Sequence, residues 1–140
     1  MKGIADTGLL VAFANRHDEH HDWAVGLAEQ ADEPFLTCEA VLAESAFHLR
    51  DSRLVLEMLS EGLVQVALDV PSQLSHLAAL AKRYADRQPD LADLCLIRLS
   101  ELNPRHSIIT VDAADFRVCR RNKRDVIPLI CPPQFSAELE

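Results

Sequence analysis

Two aspartates follow short apolar stretches, one near each end of the chain. Asp112 comes directly after residues 108–111, all β-branched, and Asp6 comes after residues 3–5. A β-branched run without polar alternation is typical of a buried strand. In an open α/β sheet, ligands bind outside the carboxyl ends of the strands. The sequence therefore predicts that both carboxylates reach one crevice, although each could instead cap the helix that follows it.

Other carboxylates fit the same pattern. Glu44 lies in an otherwise apolar helical stretch, where an unpaired buried charge would cost several kcal/mol. Asp90 and Asp93 open a predicted helix, and their spacing of three residues lets both side chains reach one face. Asp115 stands at the same spacing from Asp112. Helix capping and, for Glu44, a solvent-facing position are the alternative interpretations.

Carboxylates that converge without interleaved Lys or Arg repel one another, and their pKa values rise. A divalent cation relieves this repulsion, and ligands that are all oxygen favour Mg²⁺ or Mn²⁺ over zinc. Such an ion lowers the pKa of bound water and holds phosphate oxygens during in-line displacement. The pattern therefore indicates a phosphodiester hydrolase.

Strand and helix patterns alternate along the chain. Strands are predicted at 3–6, 35–37, 63–66 and 107–111, with a fifth at 126–129 that Pro128 would confine to an edge. Helices are predicted at 9–14, 19–31 (capped by Asp18), 39–49, 51–59, 72–86 and 90–102. This alternation predicts a three-layer α/β/α fold with a parallel sheet of about five strands. We expect residues 1–140 to form a single domain, with a loose tail from about residue 132.

The composition limits the class of protein. The chain has 140 residues, of which 49% are hydrophobic, which is enough for one packed core. No apolar run is as long as a membrane span, and Asp6 stands where a signal peptide would be apolar, so we expect a soluble, cytoplasmic protein. The four cysteines are widely spaced and predict structural thiols rather than disulfides or a zinc site.

The acidic motifs together resemble the PIN-domain ribonucleases of the VapC toxin type, and the likeness spans nearly the whole chain. The segments that carry it are Asp6-Thr7-Gly8, Ala43-Glu44-Ser45, residues 89–93, residues 110–116 and the stretch 16–24. The resemblance implies an acidic pocket that holds one or two Mg²⁺ or Mn²⁺ ions. It also implies cleavage of single-stranded RNA to 5′-phosphate and 3′-hydroxyl ends.

Matched motif by motif, the resemblance implies that Asp6, Glu44, Asp93 and Asp112 bind the metal. Asp90 and Asp115 would support the metal ligands or act on the metal through water, and Thr7 and Thr110 would orient carboxylates by hydrogen bonds. The resemblance also implies a homodimer. The acidic pocket and negative surface invite a small basic antitoxin that places an Arg or Lys among the carboxylates.

A basic segment follows the Asp112 region. Its residues are Arg117, Arg120, Arg121, Lys123 and Arg124. Because an acidic pocket repels RNA phosphates, cations at its rim could hold the strand, although a solvated helix end explains them equally well. The formal net charge of −8 argues against nucleic-acid binding by bulk attraction. His17, His20 and His21 are predicted to lie in an exposed loop and helix start, without a metal.

Two other functions remain open. A PIN-like binding module would keep the fold without cutting RNA. A phospho-acceptor regulatory domain would use Asp69 after the third strand as acceptor, but the lysine that such a domain needs after the fifth strand is missing.

Overall fold

Short strands form the centre of the fold in the computed structural model, which describes residues 1–133 apart from the side chain of Asp115. They are β1 (Gly3–Ala5), β2 (Phe35–Thr37), β3 (Val64–Val66), β4 (Ser107–Ile109), β5 (Arg120–Arg121), β6 (Asp125–Val126) and β7 (Leu129–Ile130). Five of them form one parallel sheet in the order β3-β2-β1-β4-β7. Strands β5 and β6 pair separately as an antiparallel hairpin.

Helices flank the sheet, and the predicted three-layer α/β/α class is confirmed. They are α1 (Thr7–Ala14), α2 (His21–Gln30), α3 (Glu39–Leu49), α4 (Ser52–Ser60), α5 (Leu74–Arg83), α6 (Leu91–Leu102) and α7 (Ala114–Arg117), with 3₁₀ turns at Pro71–Gln73 and Ala85–Arg87. None of the helices that the described residues form is long and apolar enough to cross a lipid bilayer. The predicted loose tail falls mostly on residues 134–140, which lie outside the described residues.

The core holds α6 firmly against the sheet. Ile4, Ile108 and Ile109 are fully inaccessible to solvent, and α6 packs against β1, β2 and β4. Most of α6 is apolar and buried, because its residues face the sheet on one side and neighbouring helices on the other. The backbone N–H of Asp6 donates to the Ile109 carbonyl at 3.1 Å and ties the end of β1 to β4. The first turn of α6 and the ends of β1 and β4 are therefore fixed relative to one another.

A contact between two buried thiols connects the end of β2 to α6. Cys38 follows β2 and Cys95 lies in α6, both buried, and their side chains hydrogen-bond each other. This contact and burial raise the pKa of the Cys38 thiol. All four cysteines are free, and Cys38, Cys95 and Cys119 are buried. The sequence does not indicate the Cys38–Cys95 contact, because the 56 residues between the two cysteines include four other helices and strands.

The last strand of the sheet begins three residues later than the sequence predicts. Strand β7 lies at the sheet edge, as Pro128 indicates, and the Pro128 carbonyl accepts from the Ile108 N–H at 2.9 Å. Val126 pairs instead with Arg120 in the hairpin. The chain reverses through Asn122 and Lys123, which have φ of 51° and 69°. A reversal without glycine gives a weak sequence signal, so the hairpin was missed.

Two further predictions of local structure are wrong. Helix α2 begins at His21, because the Asp18 carboxylate accepts from the His20 N–H at 2.8 Å and forms a turn before the helix. His20 is buried, and Nδ1 of His21 lies 2.8 Å from the Ala12 carbonyl, so these two residues do not form an exposed loop.

Phe47 is 78% exposed although it lies in an apolar stretch. It is two positions beyond buried Ser45, which turns it to the opposite side of α3.

Candidate functional site

Five predicted carboxylates meet in one pocket at the carboxyl ends of β1 and β4. These strands are neighbours at the point where the chain order in the sheet reverses, which is where open α/β sheets bind ligands. The pocket has a volume of about 330 Å³. Its lining consists of Asp6, Thr7, Gly8, Val11, Glu44, His48, Asp90, Asp93, Val111 and Asp112. We call it the carboxylate pocket.

Asp6 is held at the floor of the pocket by two hydrogen bonds. Its Oδ1 accepts from the Thr7 N–H at 2.7 Å, and its Oδ2 accepts from the Thr110 hydroxyl at 2.7 Å. Asp6 is also the N-cap of α1, so capping and a role in the pocket are compatible. These two hydrogen bonds therefore fix the orientation of the Asp6 side chain.

Thr110 links two of the carboxylate positions. Its hydroxyl donates to Asp6 and accepts from the Asp112 N–H at 3.0 Å. Thr110 is completely buried, so its hydroxyl holds this arrangement without competition from water. The Thr110 hydroxyl thus makes a hydrogen bond to a carboxylate, as the resemblance implies, and its role in a metal site stays a prediction.

Thr7 behaves differently from its prediction. Its backbone N–H, not its hydroxyl, binds Asp6. The Thr7 hydroxyl is buried beside the pocket without a hydrogen-bond partner among the described residues. Thr7 is the first residue of α1, and only its N–H is directed back at the capping carboxylate. Thr7 therefore contributes to the pocket lining a hydroxyl oxygen that no described residue engages.

The start of α6 brings two carboxylates to the rim. The Asp90 Oδ1 accepts from the Asp93 N–H at 2.8 Å, and the Asp93 Oδ2 accepts from the Asp90 N–H at 3.4 Å. This reciprocal arrangement is a capping box, so the predicted helix start is confirmed and the alternative interpretation, helix capping, also holds for these two residues. Asp90 is exposed and Asp93 half-buried.

Glu44 reaches the pocket from α3, where it is half-buried. His48 lines the same pocket one helical turn further along α3. No role was assigned to His48 from the sequence, although its spacing of four residues from Glu44 was a usable signal. Among the described lining residues, His48 is the one whose side chain can carry a positive charge.

Gly8 brings α1 close to the end of β4. A Cβ atom at Gly8 would collide with Cγ2 of Val111, which lies across the pocket floor. Only glycine allows this close approach without moving Val111 and the adjacent Asp112. The sequence alone does not indicate this packing role, because it depends on Val111, which is distant in the chain.

The predicted basic segment does not line the carboxylate pocket. Arg120 donates to the carbonyls of Arg117 and Cys119, and Arg121 donates to the carbonyl of Pro104, beyond the far end of α6. These two guanidinium groups are hydrogen-bonded to backbone carbonyl groups. RNA binding by the basic segment stays a prediction. The side chain of Asp115 lies outside the described part of the structure.

The surroundings of Asp6 raise its pKa above the ordinary value of 3.8. Burial is the main cause, and the charges of Glu44 and Asp112 add to it, while the Thr110 and Thr7 hydrogen bonds act in the opposite direction. A carboxylate that keeps its charge at neutral pH in this position is destabilising unless a cation compensates it.

This imbalance predicts a pH-dependent stability. Because the folded form binds the proton more readily, the Asp6 contribution to stability is full below pH 3.8 and is lost as the pH rises through the raised pKa. The Asp6→Asn variant has no carboxyl group at this position, so its stability does not change through this titration. We expect the free energy of unfolding of the wild type, relative to Asp6→Asn, to fall as the pH rises above 4. Urea unfolding in EDTA at several pH values measures this, with exposed Asp69→Asn as control. A constant difference would contradict the raised pKa.

The donor chemistry of the pocket fits a hard divalent cation. Every acidic ligand offers oxygen, the repulsion at Asp6 requires positive charge, and the buried Thr7 hydroxyl lacks a partner. As the side chains stand, no three His, Cys, Asp or Glu groups within the described residues are arranged to hold an ion. Asp6 is fixed, whereas Glu44 and Asp93 are half-buried and Asp112 is exposed. Binding would therefore require these three side chains to turn towards Asp6.

Comparison with known proteins does not identify a family, so a functional assignment depends on the geometry of the carboxylate pocket. The chain matches no protein-family model, and no curated protein sequence matches it significantly. What the site can do follows from its carboxylates, their hydrogen bonds and their place in the fold.

Proposed function

We propose that this chain is a metal-dependent endoribonuclease of the PIN-domain, VapC toxin type, which cleaves single-stranded RNA by attack of water. The observation that carries the proposal is the convergence of Asp6, Glu44, Asp93 and Asp112 in one open pocket at the switch point of the sheet. The raised pKa of Asp6 supports it, because perturbed carboxylates cluster at functional sites.

The residues have distinct roles in this proposal. Asp6, Glu44, Asp93 and Asp112 would hold Mg²⁺ or Mn²⁺, with Asp90 and Asp115 acting through water. When bound, the ion supplies a water of lowered pKa and positive charge for the phosphate. The Thr110 hydroxyl holds Asp6 and the Asp112 backbone in fixed positions relative to each other by hydrogen bonds. The His48 ring offers an N–H donor to a phosphate oxygen at the rim.

The bond changes follow from the predicted ends. The water oxygen forms a bond to phosphorus, and the bond between phosphorus and the 3′ oxygen breaks. One proton of the water goes to a carboxylate or to solvent, and the 3′ oxygen takes up a proton. The products are a 5′-phosphate and a 3′-hydroxyl end.

The test is cleavage of a single-stranded RNA with Mg²⁺ or Mn²⁺ and with EDTA, with the ends mapped by sequencing. We expect cleavage only with metal, and 5′-phosphate with 3′-hydroxyl ends. Cleavage that persists in EDTA, or that leaves 2′,3′-cyclic phosphates, would refute the proposal. Calorimetric metal binding without cleavage would instead favour the PIN-like binding module.

The phospho-acceptor alternative has less support. Asp69 follows β3, which is the edge strand, and β2 separates β3 from β1. Asp69 does not line the carboxylate pocket. Acceptor chemistry needs the acceptor beside the other acidic groups, so mass measurement after incubation with a small phosphodonor is expected to show no adduct.

The proposal extends to location and partners. A cytoplasmic protein would meet RNA, and the acidic pocket in a chain of net charge −8 favours a small basic antitoxin. Phe47 and Leu56 are 78% and 62% exposed, which supports an interface on α3 and α4, for a homodimer or for the antitoxin.

A further inference from the structure

A second pocket, remote from the carboxylates, is lined mostly by cationic and polar side chains. It has a volume of about 290 Å³ and lies between α5, α6 and the turn of the hairpin. Its lining consists of His76, Ala79, Leu80, Arg83, Arg98, Glu101, Asn122 and Lys123. We call it the α5–α6 pocket. It shares no residue with the carboxylate pocket.

The fold builds this pocket from regular elements. The four α5 residues stand at positions i, i+3, i+4 and i+7, so they form one face of the helix. The hairpin turn is fixed on the opposite wall, because the Asn122 N–H donates to Glu101 Oε2 at 2.7 Å. The Tyr84 hydroxyl accepts from the Arg120 N–H at 2.8 Å and anchors the same hairpin. Lys123, with its left-handed φ, follows these two anchored residues in the turn of the hairpin.

The charges in the α5–α6 pocket do not balance. Arg83, Arg98 and Lys123 are cations, and Glu101 is the one carboxylate among the lining residues. Glu101 is already engaged: its Oε1 accepts from Arg98 at 3.2 Å, and its Oε2 accepts from the hairpin. The pocket is therefore positive, although the whole chain is strongly negative.

Arg83 carries an N–H group that donates to none of the described residues. Its Nη1 is buried and has no hydrogen-bond partner among the described residues, while its guanidinium lies 5.7 Å from the centre of the Tyr84 ring. A buried N–H without an acceptor is costly. Arg83 lines the pocket, so an oxyanion bound there would meet its guanidinium group. Guanidinium groups and lysine together are the donors that bind phosphate in proteins.

We propose that the α5–α6 pocket binds a phosphate group, with Arg83 and Lys123 as its main donors. The phosphate belongs either to the backbone of an RNA strand or to a free ion or nucleotide. The proposal stands independently of the nuclease function, because it depends on a separate set of residues.

The test is a titration with inorganic phosphate in EDTA at constant ionic strength, which excludes phosphate recruited by a metal in the carboxylate pocket. Calorimetry and the thermal unfolding midpoint report binding. We expect saturable binding to the wild type and binding at least about tenfold weaker in Arg83→Gln and in Lys123→Gln. The matched control is Lys82→Gln, which removes an exposed charge from α5 outside the pocket and is expected to bind as the wild type does. Lys123 is exposed, so its variant keeps the test valid if Arg83→Gln folds poorly.

A second arm separates the two sources of phosphate. Binding of a single-stranded RNA in EDTA is measured against salt for the wild type and Lys123→Gln. A slope of log affinity against log salt that falls by about one in the variant identifies an RNA phosphate. An unchanged slope with weakened binding of inorganic phosphate identifies a free phosphate or nucleotide. Absence of saturable phosphate binding, or equal losses in Lys82→Gln and Lys123→Gln, would overturn the proposal.

Discussion

Replacing Asp6 by Asn is expected to lower metal-dependent RNA cleavage by about 1,000-fold while leaving the fold intact. Asp6 is the carboxylate that the structure fixes most completely, with one oxygen on the Thr7 N–H and the other on the Thr110 hydroxyl. An amide keeps the shape and the helix cap but removes the charge that an ion requires. A loss of about 4 kcal/mol of transition-state stabilisation corresponds to this factor.

The control variant is Asp69→Asn, which removes an exposed carboxylate outside the carboxylate pocket. We expect it to cleave RNA at the wild-type rate. Circular dichroism and the unfolding midpoint check that Asp6→Asn is folded, and its stability at neutral pH should equal or exceed that of the wild type, because a repelled charge is gone. Retained cleavage in a folded Asp6→Asn protein would remove the basis of the nuclease assignment.

The parts of the fold that local patterns dictate were predictable. The β-branched run before Asp112, the apolar α6 and the Asp90–Asp93 cap each follow from short-range chemistry that a sequence displays directly. Pro128 placed the last strand at the sheet edge for an equally local reason, since it lacks an N–H. Strand alternation then fixed the sheet class, and the sheet class brought the strand-end carboxylates together.

What the sequence did not show depends on contacts between distant segments. The exposure of Phe47 depends on which face of α3 meets the core, and a single helix in an apolar stretch does not specify that. The Tyr84–Arg120 and Glu101–Asn122 contacts that position the hairpin join residues with no shared motif. The Lys123 side chain consequently lines the α5–α6 pocket, while the sequence had suggested the rim of the carboxylate pocket.

Replacing Thr110 by Val is expected to lower both stability and activity, because one buried hydroxyl serves two partners. Valine has the same shape but neither donates to Asp6 nor accepts from the Asp112 N–H. The unpaired groups should cost about 1–3 kcal/mol of unfolding free energy. Loss of an orienting hydrogen bond should lower cleavage about 10–100-fold, and half-maximal activity should require more Mg²⁺. Urea unfolding and a Mg²⁺ titration of cleavage measure the two effects.

A positioning role is separable from a purely structural one. Thr110→Ser keeps the hydroxyl and loses only a methyl group, so it should lose about 1 kcal/mol of stability and keep its Mg²⁺ dependence. The Thr110 hydrogen bond also lowers the pKa of Asp6, so Thr110→Val should move the pH-dependent loss of stability to higher pH. That shift should vanish in the Thr110→Val/Asp6→Asn double variant, since no carboxylate remains to titrate. If Thr110→Val and Thr110→Ser lose stability equally and cleave at the same Mg²⁺ concentration, the hydroxyl does not organise the carboxylates, and convergence in the pocket alone would have to explain any activity.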